Sequence, residues 1–291
     1  MGKKVKDYYP PVYKTGKGTL YLKSPGVVLL AKPDVNLGNL DGFLRGFDKK
    51  MGFTDYLRDK TKLESSEQLS KIAGQACYAS FGPKRTMNVD AAKYFYNLIS
   101  SGHGSVLEHA NFSLFLYGIS RSLTHELVRH RAGFGYSQLS QRYVSGRVLR
   151  FIEREEYQKD EKLHKMFEKR IDRAADEYEM IAGILAVKQE KGADKLLSGE
   201  SKTDLRKKVN QSARSVLPNE TETWMVITGN VRAWRHVISM RASEHAETEI
   251  RKLAYLVYKR LSVEAPILFA DYSEVKYSDG TMGVKTEFPK V

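Results

Sequence analysis

Apolar residues recur at three- and four-residue steps along residues 158–188, through Leu163, Met166, Phe167, Ile171, Ala174, Tyr178, Ile181 and Leu185. That spacing predicts one long amphipathic helix, with Gly192 ending it. Similar steps predict a helix from Ser65 through Leu69, Ile72 and Ala76, where Ser65 and Gln68 form a capping box. Another starts near Asn88-Val89-Asp90, carries Ala91, Tyr94, Phe95 and Leu98, and stops at Gly102. Ser120 or Ser122 caps a short helix through Leu123, Leu127 and Val128. Further helices are expected over Lys202–Val216, over 229–242, and through Ile250, Leu253, Ala254, Val257 and Leu261 up to Pro266. Strand-like alternation marks Phe112–Tyr117 and Arg147–Ile152. Leu20–Leu22 and Val27–Leu30, split by Ser24-Pro25-Gly26, read as a hairpin. Residues 1–18 read as an extended arm, 32–64 carry no assigned element, and Ser278-Asp279-Gly280 marks a turn in a polar tail. No repeat or linker divides the chain, so the pattern predicts one α+β domain with peripheral additions.

Composition adds a partner class. The 291 residues are 41% hydrophobic and 29% charged, ordinary for a globular protein. The net charge of +13 implies anionic partners. The single cysteine, Cys77, allows no internal disulfide and fits a reducing compartment. No apolar run reaches the roughly 20 residues of a membrane span. Met1–Lys6 has charge but no apolar segment behind it, so no secretory signal and a cytoplasmic location are expected.

The densest chemistry lies in Arg129-His130-Arg131, the turn at Ala132-Gly133, and Phe134–Tyr143. It is either a solvated basic face or an anion site, since guanidinium forks match phosphate and carboxylate oxygens. A zinc reading of His125 and His130 fails on spacing: five residues turn the second about 140° from the first. No metal site is expected. Cys77 sits in an apolar context with no adjacent base and reads as a small hydrophobe. There is no Gly-x-Gly-x-x-Gly after a strand and no Walker loop, so a nucleotide would need a site built from side chains. In the segment 228–245, Asn230 suits an N-cap, and Arg241 lies about 16 Å further along the same face. That segment is either a nucleotide-spanning helix or a surface helix with solvated arginines.

Taken together, these segments resemble the flavin-dependent thymidylate synthases. The likeness is carried by Arg129-His130-Arg131 followed by Ser140-Gln141-Arg142-Tyr143, by His103-Gly104-Ser105-Val106-Leu107-Glu108-His109, by Arg214-Ser215-Val216-Leu217-Pro218, and by Asn230 through Arg251. It spans roughly residues 66–272 in order. The resemblance implies an α+β fold with a central, mostly antiparallel sheet, flanking helices and additional long helices. It implies residues 65–272 as the catalytic domain; residues 1–64 and 273–291 lie outside the likeness and are read as an N-terminal extension packed on the core, prompted by the tyrosines and prolines of its arm, and a C-terminal tail. It further implies reductive methylation of dUMP to dTMP, with methylenetetrahydrofolate as carbon donor, NADPH-reduced FAD as hydride carrier, and a homotetramer with shared active sites. No cysteine nucleophile would be needed, and neither a membrane nor a nucleic acid would be a partner.

Position by position, the resemblance assigns FAD contacts to Ser105, Arg129, His130, Arg131, Gln138, Asn230, Val231, Arg232 and His236. It assigns dUMP contacts to Glu126, Leu127, Val128, Arg129, Gln138, Leu139, Ser140, Gln141, Arg142, Arg214 and Arg241. Arg241, Ser140 and Arg142 would be catalytic, and His103 and Tyr143 would lie near folate or flavin. Ser140 and Arg142 would hold the phosphate from an extended backbone, while Arg214 and Arg241 orient and polarise the uracil. The spacer from Ala132 to Leu139 is one residue longer than the family's usual one, and Gly133 is placed to absorb it. Glu126 and Gln138 stand where some members have glutamine and glutamate. The alternatives are a basic single-strand nucleic-acid binder without chemistry and a flavoprotein of this fold acting on another uracil-containing substrate.

Overall fold

The alternation beginning at Phe112 becomes the longest strand among the described residues. The computed structural model describes residues 7–190 and 202–291. Their elements run β1 (Val12–Lys14), β2 (Leu20–Leu22), β3 (Gly26–Ala31), α1 (Asp41–Arg45), α2 (Ser65–Cys77), α3 (Ala91–Ser100), β4 (Asn111–Ser120), α4 (Arg121–Leu127), β5 (Phe134–Gln138), β6 (Arg150–Ile152) and α5 (Glu155–Gln158). Then follow α6 (Glu161–Glu190), α7 (Lys202–Ala213), β7 (Glu222–Asn230), α8 (Val231–Arg241), α9 (Thr248–Glu264), β8 (Ser273–Lys276) and β9 (Met282–Lys285).

The central sheet has the order β3-β4-β7-β5, antiparallel throughout. Its register aligns Leu29, Leu114, Ile227 and Tyr136 in one row. Leu114 and Ile227, on the two inner strands, are fully buried beneath side chains of α3, α8 and α9. A second sheet, β1-β2-β6, packs Tyr21 and Phe151 against Phe167 and Ile171 of α6. The fold is therefore α+β, with antiparallel strands flanked by helices.

Four local expectations change. Leu20–Leu22 and Val27–Leu30 form no hairpin with each other. β2 pairs with β1 and β6, whereas β3 pairs with β4, so Pro25 marks the corner between two sheets. The capping box of α2 lies one residue earlier: Glu67 accepts the Glu64 N–H at 3.3 Å, and Glu64 receives the N3 amide. β5 and β7 were not anticipated. The helix expected over 229–242 begins only at Val231, because residues 222–230 serve the sheet. The proposed stop at Gly192 lies outside the described residues.

Helix α8 is held from three directions. At its start, Asn230 Oδ1 accepts the Ala233 N–H at 2.8 Å, as the sequence predicted. In its middle, Arg235 is completely buried and pairs with both Asp271 oxygens at 2.6 and 2.8 Å. Arg235 also donates to the carbonyls of Leu268 at 2.7 Å and Val291 at 2.9 Å. At its end, the Ala242 carbonyl accepts from Tyr277 Oη at 3.0 Å and Val284 N at 3.2 Å, both in the β8–β9 hairpin. Arg251 joins the hairpin turn to the segment after α8, donating to Asp279, Thr281, Glu244 O and Ala246 O.

Removing one member of a buried ion pair strands the other without solvent. Arg235→Leu should therefore cost about 3–5 kcal/mol of folding stability, read from urea denaturation. A loss below about 1 kcal/mol would show that Asp271 finds compensation elsewhere.

Candidate functional site

Ser120 closes β4 and opens α4, its hydroxyl accepting the Leu123 N–H at 3.0 Å. This short helix delivers Glu126 and the Arg129-His130-Arg131 turn to the rim of the sheet. The chain then reverses at Gly133, whose φ of +77° suits glycine. A Cβ there would lie 2.8 Å from Asn230 Nδ2 and 2.9 Å from the Ala233 Cβ, so the α8 cap leaves no room for one. β5 returns along β7, and Tyr136 Oη donates back to the His130 and Leu127 carbonyls.

Three residues from separate segments meet here. Arg241, the last residue of α8, donates from Nε to His130 Nε2 at 3.0 Å and from Nη1 to Glu126 Oε2 at 2.7 Å. The His236 ring stands edge-on to His130 at 5.7 Å. Because His130 Nε2 accepts, the imidazole is neutral with its proton on Nδ1. Burial, then the charge of Arg241, then His236, hold its pKa at about 4, below the ordinary 6.5.

Gln138 Nε2 donates to Thr124 Oγ1 at 3.0 Å and Thr223 Oγ1 at 3.3 Å. That spends its donors and leaves Oε1 as an acceptor. Arg129, Arg131, Arg142 and Arg214 form no ion pair among the described residues. Guanidinium groups without protein counter-charges suit anionic ligands.

The other expected residues fall into two cavities. His103, Ser105 and Arg232 line one of about 450 Å³. Arg232 is steadied by Glu108 at 2.6 Å. Gln141 and Arg214 line another of about 430 Å³. The two cavities share no lining residue. Leu127 and Val231 are buried in the core, and the Val231 N–H is taken by the Ala110 carbonyl at 2.9 Å. Leu139 offers no free amide, since it bonds the Trp224 carbonyl at 3.0 Å. Val128 is half-buried beside the core.

The extended backbone expected at Ser140–Arg142 is replaced by a turn. Val144 N and Tyr143 N both return to the Ser140 carbonyl, and Ser140 Oγ accepts the Arg142 N–H. Ser140 and Arg142 therefore do not project side by side, and the Arg142 and Tyr143 side chains are exposed. Cys77 also departs from expectation. It is exposed at the last turn of α2 and lines the His103 cavity.

Sequence reasoning passed over Arg121 and weighed His125 only as a metal ligand; both share the second cavity with Arg214. Arg121 donates to the Leu139 carbonyl at 3.3 Å, and burial followed by the nearby Arg214 charge lowers its pKa. Two guanidinium groups without an acidic neighbour on that lining make it cationic. The available signal was the position of Arg121 directly after the Ser120 cap, at the foot of the Arg129 helix.

A histidine kept neutral by the fold makes stability depend on pH. The unfolded chain takes up the proton below 6.5 while the folded chain resists it until about 4, so stability falls with pH through that window. His130→Gln should flatten the decline when denaturation midpoints are compared at about pH 7 and pH 5. An undiminished slope in the variant would locate the proton uptake elsewhere.

Comparison with known proteins follows this geometry. Residues 57–267 match the family model described as thymidylate synthase complementing protein. A flavin-dependent thymidylate synthase of Mycobacterium sp. (strain KMS) is 44% identical over 227 residues, 76% of this chain and 86% of the relative. One of Mycobacterium bovis (strain BCG / Pasteur 1173P2) is 42% identical over 221 residues, covering 76% and 85%. Among solved structures, the UMP/dUMP methylase PolB from Streptomyces cacaoi, bound with 5-Br dUMP, shares the fold. Its TM-score is 0.58 at 16% identity, over 85% of this chain and 94% of that one. By family match and by identity over three-quarters of its length, the chain belongs to the flavin-dependent thymidylate synthases.

Proposed function

We propose that this enzyme methylates dUMP to dTMP, taking the carbon from methylenetetrahydrofolate and two electrons from NADPH through FAD. The methylene carbon replaces the C5 hydrogen of uracil and is reduced to methyl, while tetrahydrofolate and NADP⁺ leave. The observation that carries this reading is the Glu126–Arg241–His130 cluster, flanked in sequence by Arg129 and Arg131, which have no counter-charge among the described residues. When bound, FAD supplies the hydride chemistry that no side chain can supply.

The chain's residues orient and polarise. Arg241 is held by Glu126 and a neutral imidazole, so its remaining donors face a uracil carbonyl from a fixed position. Gln138 Oε1 accepts the uracil N3–H, since its donors are already spent on Thr124 and Thr223. Arg214 and Gln141, joined by Arg121, hold the nucleotide from the cationic cavity. Ser140 and Arg142 contribute from their turn. Ser105, Arg129, Arg131, Asn230, Arg232 and His236 suit the flavin dinucleotide, with His103 and Tyr143 toward the folate. No cysteine attack on uracil is required. A homotetramer in which neighbouring copies complete each site belongs to the same reading, on the family resemblance. In this reading residues 65–272 carry the catalytic machinery, residues 1–64 pack on it and residues 273–291 form the tail.

Membership of an enzyme family overturns the reading of a catalysis-free nucleic-acid binder. Another uracil nucleotide stays open as a second substrate, because the fold is shared with a protein described as a UMP/dUMP methylase. Purified enzyme should be yellow, releasing flavin on denaturation. It should release tritium from C5-labelled dUMP and far less from UMP. Arg241→Ala should lower turnover about 10²–10³-fold with the fold intact by circular dichroism. Near-native turnover in that variant would reject the role given to Arg241, and faster release from UMP would change the substrate.

A further inference from the structure

The cavity beside His103 does not end there. A second hollow of about 600 Å³ shares Thr86, Tyr94, Leu98 and His103 with it. The two make one continuous groove with unlike ends. The inner end is walled by Tyr78, Tyr94 and Val106, flat and largely apolar. The outer end carries Lys84, Arg85, Lys93, Asn97 and Ser101, with Asp90 as its single carboxylate.

The outer end is cationic, with Lys84, Arg85 and Lys93 against the one carboxylate of Asp90. Lys84 and Lys93 are exposed and form no ion pair among the described residues. Arg85 is only 7% exposed and lies over the Tyr56 ring. Its Nη1 donates to the Gly82 carbonyl at 3.2 Å and its Nη2 to the Asp55 carbonyl at 3.0 Å. Its Nε is buried and has no hydrogen-bond partner among the described residues. Arg85 therefore adds a fixed positive charge to this end of the groove.

We propose that this groove binds the oligo-anionic tail of an elongated donor whose ring end lies beside His103, namely the linked glutamates of the folate. This rests on the function proposed above. The shared chemistry is a flexible polyanion, which the diphosphate of a dinucleotide would also present. The lining favours glutamates. It offers separated cations on a loop and on α3, whereas a diphosphate is usually cradled by successive backbone N–H groups of a glycine-rich turn. Carboxylates spaced along a chain match cations spaced along a groove. Ser105 and Arg232, proposed to suit the flavin, line the inner hollow, where the folate ring would meet it, whereas none of the residues given to the flavin lines the outer one.

The test compares tetrahydrofolate bearing one glutamate with its pentaglutamyl form, by calorimetric titration of the flavin-loaded enzyme. The longer tail should bind about three- to tenfold tighter, the range that two exposed ion pairs supply. That advantage should shrink as salt rises from about 50 to 300 mM. In the double variant Lys84→Gln, Lys93→Gln the ratio should approach one. Equal affinities in the native enzyme would overturn the proposal, as would an advantage that survives in the double variant. A double variant that releases FAD while the native enzyme shows no tail-length effect would give the groove to the diphosphate. Tail-length discrimination without any dTMP formation would uphold the groove and sink only the proposed reaction.

Discussion

The site depends on where one helix is pinned. Helix α8 carries Arg232, His236 and Arg241, and its position is fixed by Arg235, fully buried against Asp271. Desolvating a guanidinium is unfavourable unless its donors are nearly all satisfied. Here they are, through a bidentate carboxylate and two backbone carbonyls. The geometry admits little drift, since rotation of α8 would break several charge-assisted bonds together. The partners come from beyond α9, so residues 271–291 contribute to the placement of Arg241 although they lie outside the matched family segment.

Two groups of arginines stand apart by their surroundings. Arg150, Arg235, Arg251 and Arg260 are paired with carboxylates inside the fold and serve architecture. Arg129, Arg131 and Arg142 are exposed and Arg214 is half-buried in its cavity, all four without such partners among the described residues. The net charge of +13 is thus concentrated by the fold, because the structural arginines are neutralised locally and the others are not. A surface charge gains little from an isolated counter-ion in water. Under the proposed function several of these arginines would act on one phosphorylated ligand, where bidentate forks add geometric match to charge.

Much of this was legible from sequence, for reasons that differ by element. The caps Ser120 and Asn230 were readable because capping is local chemistry: a short oxygen, an orphan N–H and nothing distant. The long helix α6 was readable because one face repeats over many turns. β7 was not. Flanked by β4 and β5, it shows only a short apolar run at Trp224–Ile227, whose period does not separate strand from helix. β5 carried a period-two signal in Phe134, Tyr136 and Gln138, masked by glycine and by the charged turn before it. The false hairpin at Pro25 shows the limit of local reasoning, since strand partners are chosen across the chain. The candidate site could be named as a set of residue types through family likeness. Its geometry was not, because the turn at Ser140 depends on backbone bonds that spacing does not encode.

The neutral state of His130 joins these threads. A protonated imidazole beside Arg241 would place two cations together, and burial makes that dearer still. The fold therefore supplies an acceptor, and Arg241 uses it to fix one edge of its fork while Glu126 fixes another. Only part of the Arg241 charge is offset by Glu126, which is itself partly exposed. What is left is an oriented donor with residual positive charge beside an imidazole that does not compete for anions. Under the proposed function such an arrangement would stabilise developing negative charge on a ligand oxygen without reorganising during the reaction. It also explains why Arg241 sits at the end of α8: there the helix C-terminus favours a cation, and the pinned helix sets its reach.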